Sequence, residues 1–269
     1  MNYLKKFIQK FKNRINFYRK CLRSIHLKER LNNASPKIKD LIINGFTIFK
    51  WEEVFNESFK ESELYKEMKE EAQKLKFEDS STLSVKAKYL AKKYAPEQSI
   101  KDGGLLKFCF SKEISSLLYQ YFNDSYQVYS LDYWKTKPYK EKKIGSQNWH
   151  TDPEDPLMLK IFVYFHSVSD RNGSTELIKR TQVGGSECFR KYPYKNITGG
   201  YVSDSIIESY QDKELIKRLD ADEASIIFIN TTALHRGGWG SEGRLMANLV
   251  FTSLQCEYLP RYIISNISK

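Results

Sequence analysis

The most informative segment of the sequence is Ser146-Gln-Asn-Trp-His-Thr-Asp-Pro-Glu-Asp-Pro156, and an apolar run over 158–168 follows it at once. Side chains alternate between the two faces of an extended strand, so His150 and Asp152 project to the same side, roughly 6 to 7 Å apart. The two prolines that follow lack a backbone donor, and we therefore expect the strand to end there. The sequence thus predicts an imidazole and a carboxylate side by side at a strand tip, open to ligands.

A histidine and an aspartate at this spacing are two of the three ligands in the 2-His-1-carboxylate triad that binds non-haem Fe(II). The third ligand would be another histidine, and the chain has four. His26 lies in a lysine-rich segment far upstream. His166 ends the apolar strand, where a polar residue near a strand end is the simpler interpretation. His235 follows a buried strand and precedes paired glycines that let backbone approach closely, so we prefer it as the third ligand.

Arg244 lies nine positions after His235 and opens another mostly apolar strand. A guanidinium at the mouth of such a strand is costly to bury unless it meets an anion. Its planar fork has the shape needed to pair with a carboxylate. Arg244 is therefore a candidate anion-binding residue.

These motifs follow one another in a fixed order. His-x-Asp comes first, then a strand rich in Phe and Tyr, Asn172-Gly173, a strand ending in Asn-Thr, Leu-His-Arg-Gly-Gly and Glu-Gly-Arg. Over about 38–253 this order resembles the phytanoyl-CoA dioxygenase family of Fe(II)/2-oxoglutarate oxygenases. The resemblance implies a mainly β fold with flanking helices (α+β), built on a double-stranded β-helix, the jelly-roll or cupin-like core.

The resemblance also implies the chemistry. His150, Asp152 and His235 would be both the metal ligands and the catalytic centre, with Fe(II), 2-oxoglutarate as cosubstrate and O2. Arg244 would bind the distal carboxylate of 2-oxoglutarate. The expected reaction hydroxylates a C–H bond of a small-molecule or acyl-linked substrate and releases succinate and CO2. The presence of Asp152 favours hydroxylation over halogenation, since related halogenases have a small residue in its place.

The chain departs from the family at the loop Lys179-Arg-Thr-Gln-Val-Gly-Gly185. Many members have a Pro-Gly-Ser-His turn there, and that loop commonly borders the substrate. The identity of the substrate is therefore not carried over by the resemblance.

Further candidate residues flank the metal motif. Gln147 reaches the rim with it, next to Asn148 and Trp149, and Lys160 and Tyr164 share one face of the following strand. A lysine amid Leu, Ile, Phe and Val must extend to solvent or meet an anion. We therefore treat Gln147, Lys160 and Tyr164 as candidate cosubstrate-binding residues. Structural packing is the simpler interpretation of the two aromatic side chains.

The charge balance bears on partners. The 269 residues carry 44 Lys and Arg against 33 Asp and Glu, a net charge of +11. Phosphate binding depends on clustered cations, but here the basic residues are interleaved with acids. A solvated surface is the simpler interpretation, and weak attraction of an anionic substrate is the second. We expect a small-molecule substrate and no nucleic acid.

Two alternative functions are left open. One is a nucleic-acid oxygenase. The other is a non-catalytic cupin-like metal-binding or ligand-binding protein, which would not need Arg244.

Two segments are expected. Residues 1–34 have helical periodicity with a basic opposite face, which predicts an amphipathic helix docked on the barrel or on a partner chain. Peripheral membrane contact is the alternative, and the segment lacks the apolar length of a transmembrane span. Residues 35–269 would form the dioxygenase domain, with a helical first part and the β-helix core from about residue 126. The four cysteines form no Cys-x-x-Cys pair, which fits a reducing cytoplasm, and the oligomeric state is left open.

Periodicity and turn signals predict the elements of this second segment. We expect helices over 38–43, 51–77, 83–93 and 112–122, and one within 203–219. Strands are expected over 46–49, 126–134, 159–166, 174–178, 224–230 and 244–253. The segment 184–201 is expected to be a loop.

Overall fold

A computed structural model describes residues 27–77, 90–94, 103–123, 125–138, 143, 145–152, 154–187, 201–210, 213–238, 240–254 and 256. The expected amphipathic helix over 1–34 falls outside these residues as far as position 26. Most of the helix expected over 83–93, and most of the loop expected over 184–201, also fall outside them.

The helices of the described residues come mainly before the strands. They are α1 Leu27–Asn33, α2 Pro36–Asn44, α3 Trp51–Phe55, α4 Glu63–Gln73, α5 Gly104–Cys109, α6 Lys112–Phe122 and α7 Asp204–Tyr210. Short 3-10 turns occur at Gly145–Gln147 and Lys213–Leu215.

The strands form two antiparallel sheets. They are β1 Phe46–Phe49, β2 Leu90–Tyr94, β3 Tyr126–Thr136, β4 Leu159–Tyr164, β5 Glu176–Ile178, β6 Ile216–Arg218, β7 Ile226–Asn230, β8 His235–Arg236 and β9 Leu245–Ser253. The large sheet has the order β1-β7-β4-β9-β3-β2, and the small sheet has the order β6-β5-β8. Two sheets of this kind with helices outside are the expected jelly-roll core, and the expected fold class is confirmed.

The large sheet is buried on both faces, and β4 shows why its sequence alternates only weakly. Ile161 and Val163 point to the helices, in a core that also holds Ile38, Trp51 and Phe108. Phe162 and Tyr164 point the other way, toward the small sheet, where they pack with residues such as Leu177. Because apolar residues are needed on both sides, a strand in this position reads as a continuous hydrophobic run.

The helix expected over 51–77 is in fact two helices. Asn56 has a left-handed backbone (φ 54) and ends α3, and the side chain of Ser62 accepts a hydrogen bond from the Tyr65 amide at the start of α4. Both are ordinary helix-boundary signals that the hydrophobic periodicity obscured.

The prediction of a helix over 83–93 is wrong for its last four residues. Residues 90–93 belong to β2, which pairs with β3 in the register Leu90↔Thr136 to Tyr94↔Asp132. Strand pairing at the edge of the sheet outweighs the local helical preference of this lysine-rich segment. Lysines are common on edge strands, because their charge discourages pairing with a further chain.

No helix among the described residues is long and apolar enough to cross a membrane. The longest of them, α4 and α6, have 11 residues each and bury one face against the large sheet or its neighbours. Such helices are about 16 Å long.

Trp51 holds the helical layer together. Its side chain is fully buried and contacts the rings of Phe55, Tyr65 and Phe108. We expect Trp51→Ala to lower the free energy of unfolding by about 3–5 kcal/mol, because it removes a large side chain from a packed core. Urea unfolding measures this loss. Ile43→Ala, at a site 47% exposed, is the control and should cost about 0.5 kcal/mol or less. If Trp51→Ala lowered the free energy of unfolding as little as Ile43→Ala does, the helices would not be part of the cooperative core.

Candidate metal centre

The two histidines of the expected triad face each other across paired backbone segments. The His150 amide donates to the His235 carbonyl (2.9 Å), and the His235 amide donates to the His150 carbonyl (2.9 Å). This reciprocal pair extends the small sheet beyond β8. It brings together two parts of the chain 85 positions apart and leaves the two imidazole centroids 4.3 Å from one another.

Asp152 completes the cluster from the same segment as His150. Its amide donates to the Thr231 carbonyl (2.9 Å), which fixes the backbone beyond the histidine pair. Its Oδ1 lies 3.9 Å from Nε2 of His150, and its Oδ2 lies 3.8 Å from Nε2 of His235. One ligand atom from each of the three residues lies within 4.8 Å of the others, so they can surround one metal ion.

Backbone carbonyls orient both imidazoles. Nδ1 of His150 lies 2.8 Å from the Asn148 carbonyl, and Nδ1 of His235 lies 2.9 Å from the Ala233 carbonyl. A carbonyl only accepts, so each Nδ1 carries the proton and each Nε2 presents a lone pair. This is the usual support of a metal-bound histidine, supplied here by the residue two positions earlier in each case.

The protonation states also fit a metal site. Burial lowers the pKa of His235 to about 3, and repulsion from His150 adds to this effect. Burial opposes ionisation of Asp152, but attraction to Lys160 and the two imidazoles outweighs it and holds the pKa of the carboxyl well below its usual range. At neutral pH the cluster therefore offers a neutral imidazole from His235 and an ionised carboxylate, which are the forms that bind metal.

Lys160 lies beside the triad. Its Nζ is 2.6 Å from Oδ2 of Asp152, and its side chain is only 15% exposed. The sequence predicted that this lysine would reach solvent or an anion, and the anion it contacts is the carboxylate of the triad.

Arg244 and the triad line the same cavity, which has a volume of about 140 Å³. Arg244 is 8% exposed, and its Nε and Nη1 are buried without a hydrogen-bond partner among the described residues. Its backbone amide donates to Oγ1 of Thr136 (2.8 Å). A β-carbon at Gly237 would lie 3.8 Å from Nη2 of Arg244, so the missing side chain leaves space beside the guanidinium.

The remaining predicted residues separate into two groups. Gln147 is buried and lines the cavity with Lys160. Tyr164 lies deeper, in the apolar core between the two sheets, and it is not among the cavity-lining residues. Trp149 packs outside the small sheet, as expected, under the guanidinium of Arg236 (4.5 Å from the ring centroid).

Several lining residues had no distinguishing signal in the sequence. Tertiary packing brings Trp134, Thr136, Phe162 and Met246 to the cavity from β3, β4 and β9, and no motif marks them. Asn172 and Glu242 belong to the Asn172-Gly173 and Glu-Gly-Arg motifs, but the motifs did not predict that these two side chains line the cavity. The exposed Tyr201, whose ring centroid is 5.8 Å from that of His150, is also close to the triad. Period-2 alternation could have placed Phe162 on the face of Lys160, but not the others.

Arg236, the residue after His235, connects β8 to neighbouring elements through ion pairs. Its guanidinium donates to Glu176 on β5 and to Oδ1 of Asp204 at the start of α7 (2.5 Å). Asp204 also pairs with Lys143 (2.6 Å). These ion pairs fix β8 between its neighbouring strand and α7, behind the histidine pair.

The paired glycines after His235 allow a close backbone contact, as expected. A β-carbon at Gly238 would lie 2.1 Å from the Ser174 carbonyl oxygen, and one at Gly240 would lie 2.0 Å from that of Arg171. Gly173 has φ +70 and forms the turn that they contact. Side chains here would push the loop away from the cavity rim.

His166 does not join the triad. Its Nε2 accepts a hydrogen bond from the Leu245 amide (3.0 Å), and its Nδ1 contacts the Ser167 carbonyl. It lies six residues beyond Lys160, roughly 20 Å along the chain in extended geometry. The interpretation of His166 as a polar residue near a strand end agrees with these contacts.

The loop over 179–185 is fixed by the protein itself. Oγ1 of Thr181 accepts from the Leu234 amide (2.9 Å), and Nε2 of Gln182 donates to the carbonyls of Ile42 and Ile43 at the end of α2. This loop, all of which the structure describes, does not line the cavity.

Comparison with known proteins places the fold. Neither the scan against family models nor the search of curated proteins finds a match. The solved structures do match. SnoN, a non-heme alpha ketoglutarate dependent epimerase from nogalamycin biosynthesis, is 15% identical over 84% of this chain and 83% of its own, with a TM-score of 0.57.

Two further structures agree with it. SnoK, a non-heme alpha ketoglutarate dependent carbocyclase from the same biosynthesis, has a TM-score of 0.54 at 15% identity, covering 85% of this chain and 88% of its own. EctD from S. alaskensis, solved with bound Fe, has a TM-score of 0.57 at 13% identity, covering 84% and 79%. The fold is therefore that of the Fe/2-oxoglutarate oxygenases. Membership of the phytanoyl-CoA dioxygenase family stays a prediction.

The triad predicts metal binding that depends on all three ligands. Anaerobic Fe(II) titration should show affinity reduced by more than about 100-fold in His150→Ala, Asp152→Ala and His235→Ala, because removing a ligand costs more than removing the partner that orients it. His166→Ala is the matched control and should bind normally. Normal binding by His235→Ala together with loss in His166→Ala would assign the third ligand to His166.

Proposed function

We propose that the protein is an Fe(II)- and 2-oxoglutarate-dependent dioxygenase of the phytanoyl-CoA dioxygenase type that hydroxylates a C–H bond of a small-molecule or acyl-linked substrate. The observation that carries the proposal is the buried, unpartnered guanidinium of Arg244 in the same cavity as the triad. An unpartnered buried cation is costly, and a carboxylate ligand would relieve that cost.

The residues present fit both groups. Two imidazoles and one carboxylate on one side of a cavity are the donor set of non-haem Fe(II) sites. His150, Asp152 and His235 would hold the metal, and the guanidinium of Arg244, of which Nε and Nη1 have no hydrogen-bond partner among the described residues, would pair with the distal carboxylate of 2-oxoglutarate. When bound, the metal and its cosubstrate supply oxidative decarboxylation with O2, which gives succinate and CO2 and the oxidising power for C–H cleavage.

The chain's own residues would orient and enclose the reactants. The Asn148 and Ala233 carbonyls keep the protons on Nδ1 of each histidine, so that both Nε2 atoms face the metal position. Phe162, Met246 and Trp134 line the cavity with apolar surface, which excludes water and strengthens the pairing of Arg244 with an anion. Gln147 and Lys160 are the remaining polar candidates for cosubstrate contact.

Hydroxylation is proposed over the other outcomes that this fold supports. SnoN is an epimerase and SnoK a carbocyclase, so the same fold serves different reactions. Incorporation of one oxygen atom from labelled O2 into the product would establish hydroxylation. An unchanged product mass, or the loss of two hydrogens, would instead indicate an isomerising or cyclising reaction.

The wider setting follows from the same proposal. A ferrous centre, in a chain whose four cysteines form no Cys-x-x-Cys pair in the sequence, suits a reducing cytoplasm. The structural relatives bind small molecules, as in SnoN with nogalamycin RO and HygX with hygromycin B. We also propose that residues 35–269 act as the catalytic domain. The segment 1–34 would serve as a docking helix, or would contact a membrane surface through its basic face.

Arg244 provides the direct test. A lysine keeps the charge but loses the bidentate geometry, so Arg244→Lys should raise the KM for 2-oxoglutarate by about 10- to 100-fold, in line with about 1.5–3 kcal/mol for a charged hydrogen bond, and leave Fe(II) affinity nearly intact. The measurement is succinate formation, with and without candidate substrates. Arg218→Lys, on an exposed arginine paired with Asp220 outside the cavity, is the control.

An unaltered KM in Arg244→Lys would contradict this assignment of the arginine. Absence of any succinate from the iron-loaded wild-type protein, with 2-oxoglutarate failing to bind, would instead favour the non-catalytic cupin-like alternative. The two failures are separable, because the second is measured on the unaltered protein.

The proposed substrate class makes a further prediction. Binding of short DNA oligonucleotides should be weak near physiological salt and should disappear with modest added salt, as for any protein with a net charge of +11. A nucleic-acid substrate would require several phosphate contacts, and log affinity would then fall steeply with log salt. Sub-micromolar binding near physiological salt, with succinate release stimulated by oligonucleotide, would overturn the metabolite assignment.

A further inference from the structure

Lys160 is a largely buried cation, 15% exposed, that the proposed reaction does not by itself require. Its Nζ contacts Oδ2 of Asp152, one of the oxygens available to a metal ion, at 2.6 Å. Because the side chain is 15% exposed, solvent screens its charge only partly. A group in this position competes with a metal ion for the carboxylate and also repels the ion directly.

The charges of the cavity show when that repulsion would be relieved. Among the described residues that line it, the largely buried charged groups are Asp152, Lys160 and Arg244, which together carry one excess positive charge. Lys137 and Glu242 lie at the exposed rim, where solvent screens their charges, and Glu242 is 3.9 Å from the guanidinium of Arg171. Addition of a divalent metal alone would raise the excess to three, whereas addition of the metal with the dianion of 2-oxoglutarate restores it to one.

We propose that Lys160 couples metal binding to cosubstrate binding. It weakens binding of the metal alone and favours the metal once 2-oxoglutarate has brought its two negative charges into the cavity. The coupling is reciprocal, so the metal must tighten 2-oxoglutarate binding by the same factor. This inference rests on the proposed function and adds to it a positioning role for one residue. Lys160 would act through the carboxylate of Asp152 and through the field in the cavity.

The position of Lys160 makes this role specific to it. Residues 160, 162 and 164 share the face of β4 that looks toward the small sheet, and of the three only Lys160 is charged. Its register partners in the neighbouring strands are Ile229 and Val250, so they supply no counter-charge. Asp152 is therefore the anion that holds the ammonium in the absence of a dianionic ligand.

Calorimetric titration with Co(II), a redox-stable substitute for Fe(II), tests the coupling without any turnover. Co(II) affinity is measured with and without saturating 2-oxoglutarate, corrected for chelation in solution. Lys160→Met keeps the length and apolar stem of the side chain and removes the charge. It should bind Co(II) alone about tenfold more tightly than the wild type, as expected for one partly screened charge near a dication. The factor by which 2-oxoglutarate tightens Co(II) should fall about tenfold.

Two further variants control for structure and for net charge. Lys160→Arg keeps the cation and should preserve most of the coupling. Lys135→Met removes a lysine that contacts the Leu75 carbonyl on the helical side of β3, and it should leave Co(II) affinity and coupling as in the wild type. Lys160→Gln replaces Lys160→Met if the latter has an altered melting temperature or circular dichroism spectrum.

The possible outcomes are distinct. Unchanged or weaker Co(II) binding in Lys160→Met, or an unchanged coupling factor, would overturn the role of Lys160 and leave the proposed function intact. Failure of the wild-type protein to bind 2-oxoglutarate at all, with Co(II) present, would overturn the proposed function itself. Loss of coupling in Lys160→Arg, equal to that in Lys160→Met, would show that packing and not charge is responsible.

Discussion

The reciprocal backbone hydrogen bonds between His150 and His235 are the interaction on which the site depends. They join the segment before β4 to the strand after β7, and they set both imidazoles on one face of the small sheet. Everything near them serves to hold this pair in register. Arg236 fixes the second strand from outside, and the glycine contacts fix the loop that follows it. A one-residue slip of either segment would turn its own histidine to the opposite face and destroy the cluster.

The second constraint is the charge held inside the barrel. Removing Lys160 and Arg244 largely from water costs free energy, and among the described residues that line the cavity only the largely buried carboxylate of Asp152 offsets it. Proteins retain such costly groups where they serve recognition or catalysis. A dicarboxylate cosubstrate matches this excess in sign and in the bidentate geometry that Arg244 presents. The apolar walls from β3, β4 and β9 then make each charged contact stronger than it would be in water.

The helical layer explains why the hydrophobic pattern of the central strands does not distinguish their two faces. Because α3 to α6 cover one face of the large sheet and the small sheet covers the other, β4 and β7 have apolar residues in nearly every position. Lys160 is the exception in β4. It lies near the start of the strand, at the end that lines the cavity. The helices also stabilise the large sheet, in which β9 directly follows Arg244. Loss of the aromatic packing around Trp51 should therefore disturb the position of Arg244 indirectly.

The candidate metal ligands, their spacing and the fold class could all be predicted from the sequence. His150 and Asp152 needed only the period of a strand, and His235 and Arg244 needed only the order of motifs along the chain. Short-range signals also placed α2, α6 and β1 correctly. Only the tertiary structure decided that 90–93 pair with β3, that Lys160 contacts Asp152 and that Tyr164 lies behind the cavity. Those outcomes depend on which side chains face one another across the two sheets. Local sequence patterns do not encode contacts between residues that are far apart in the chain.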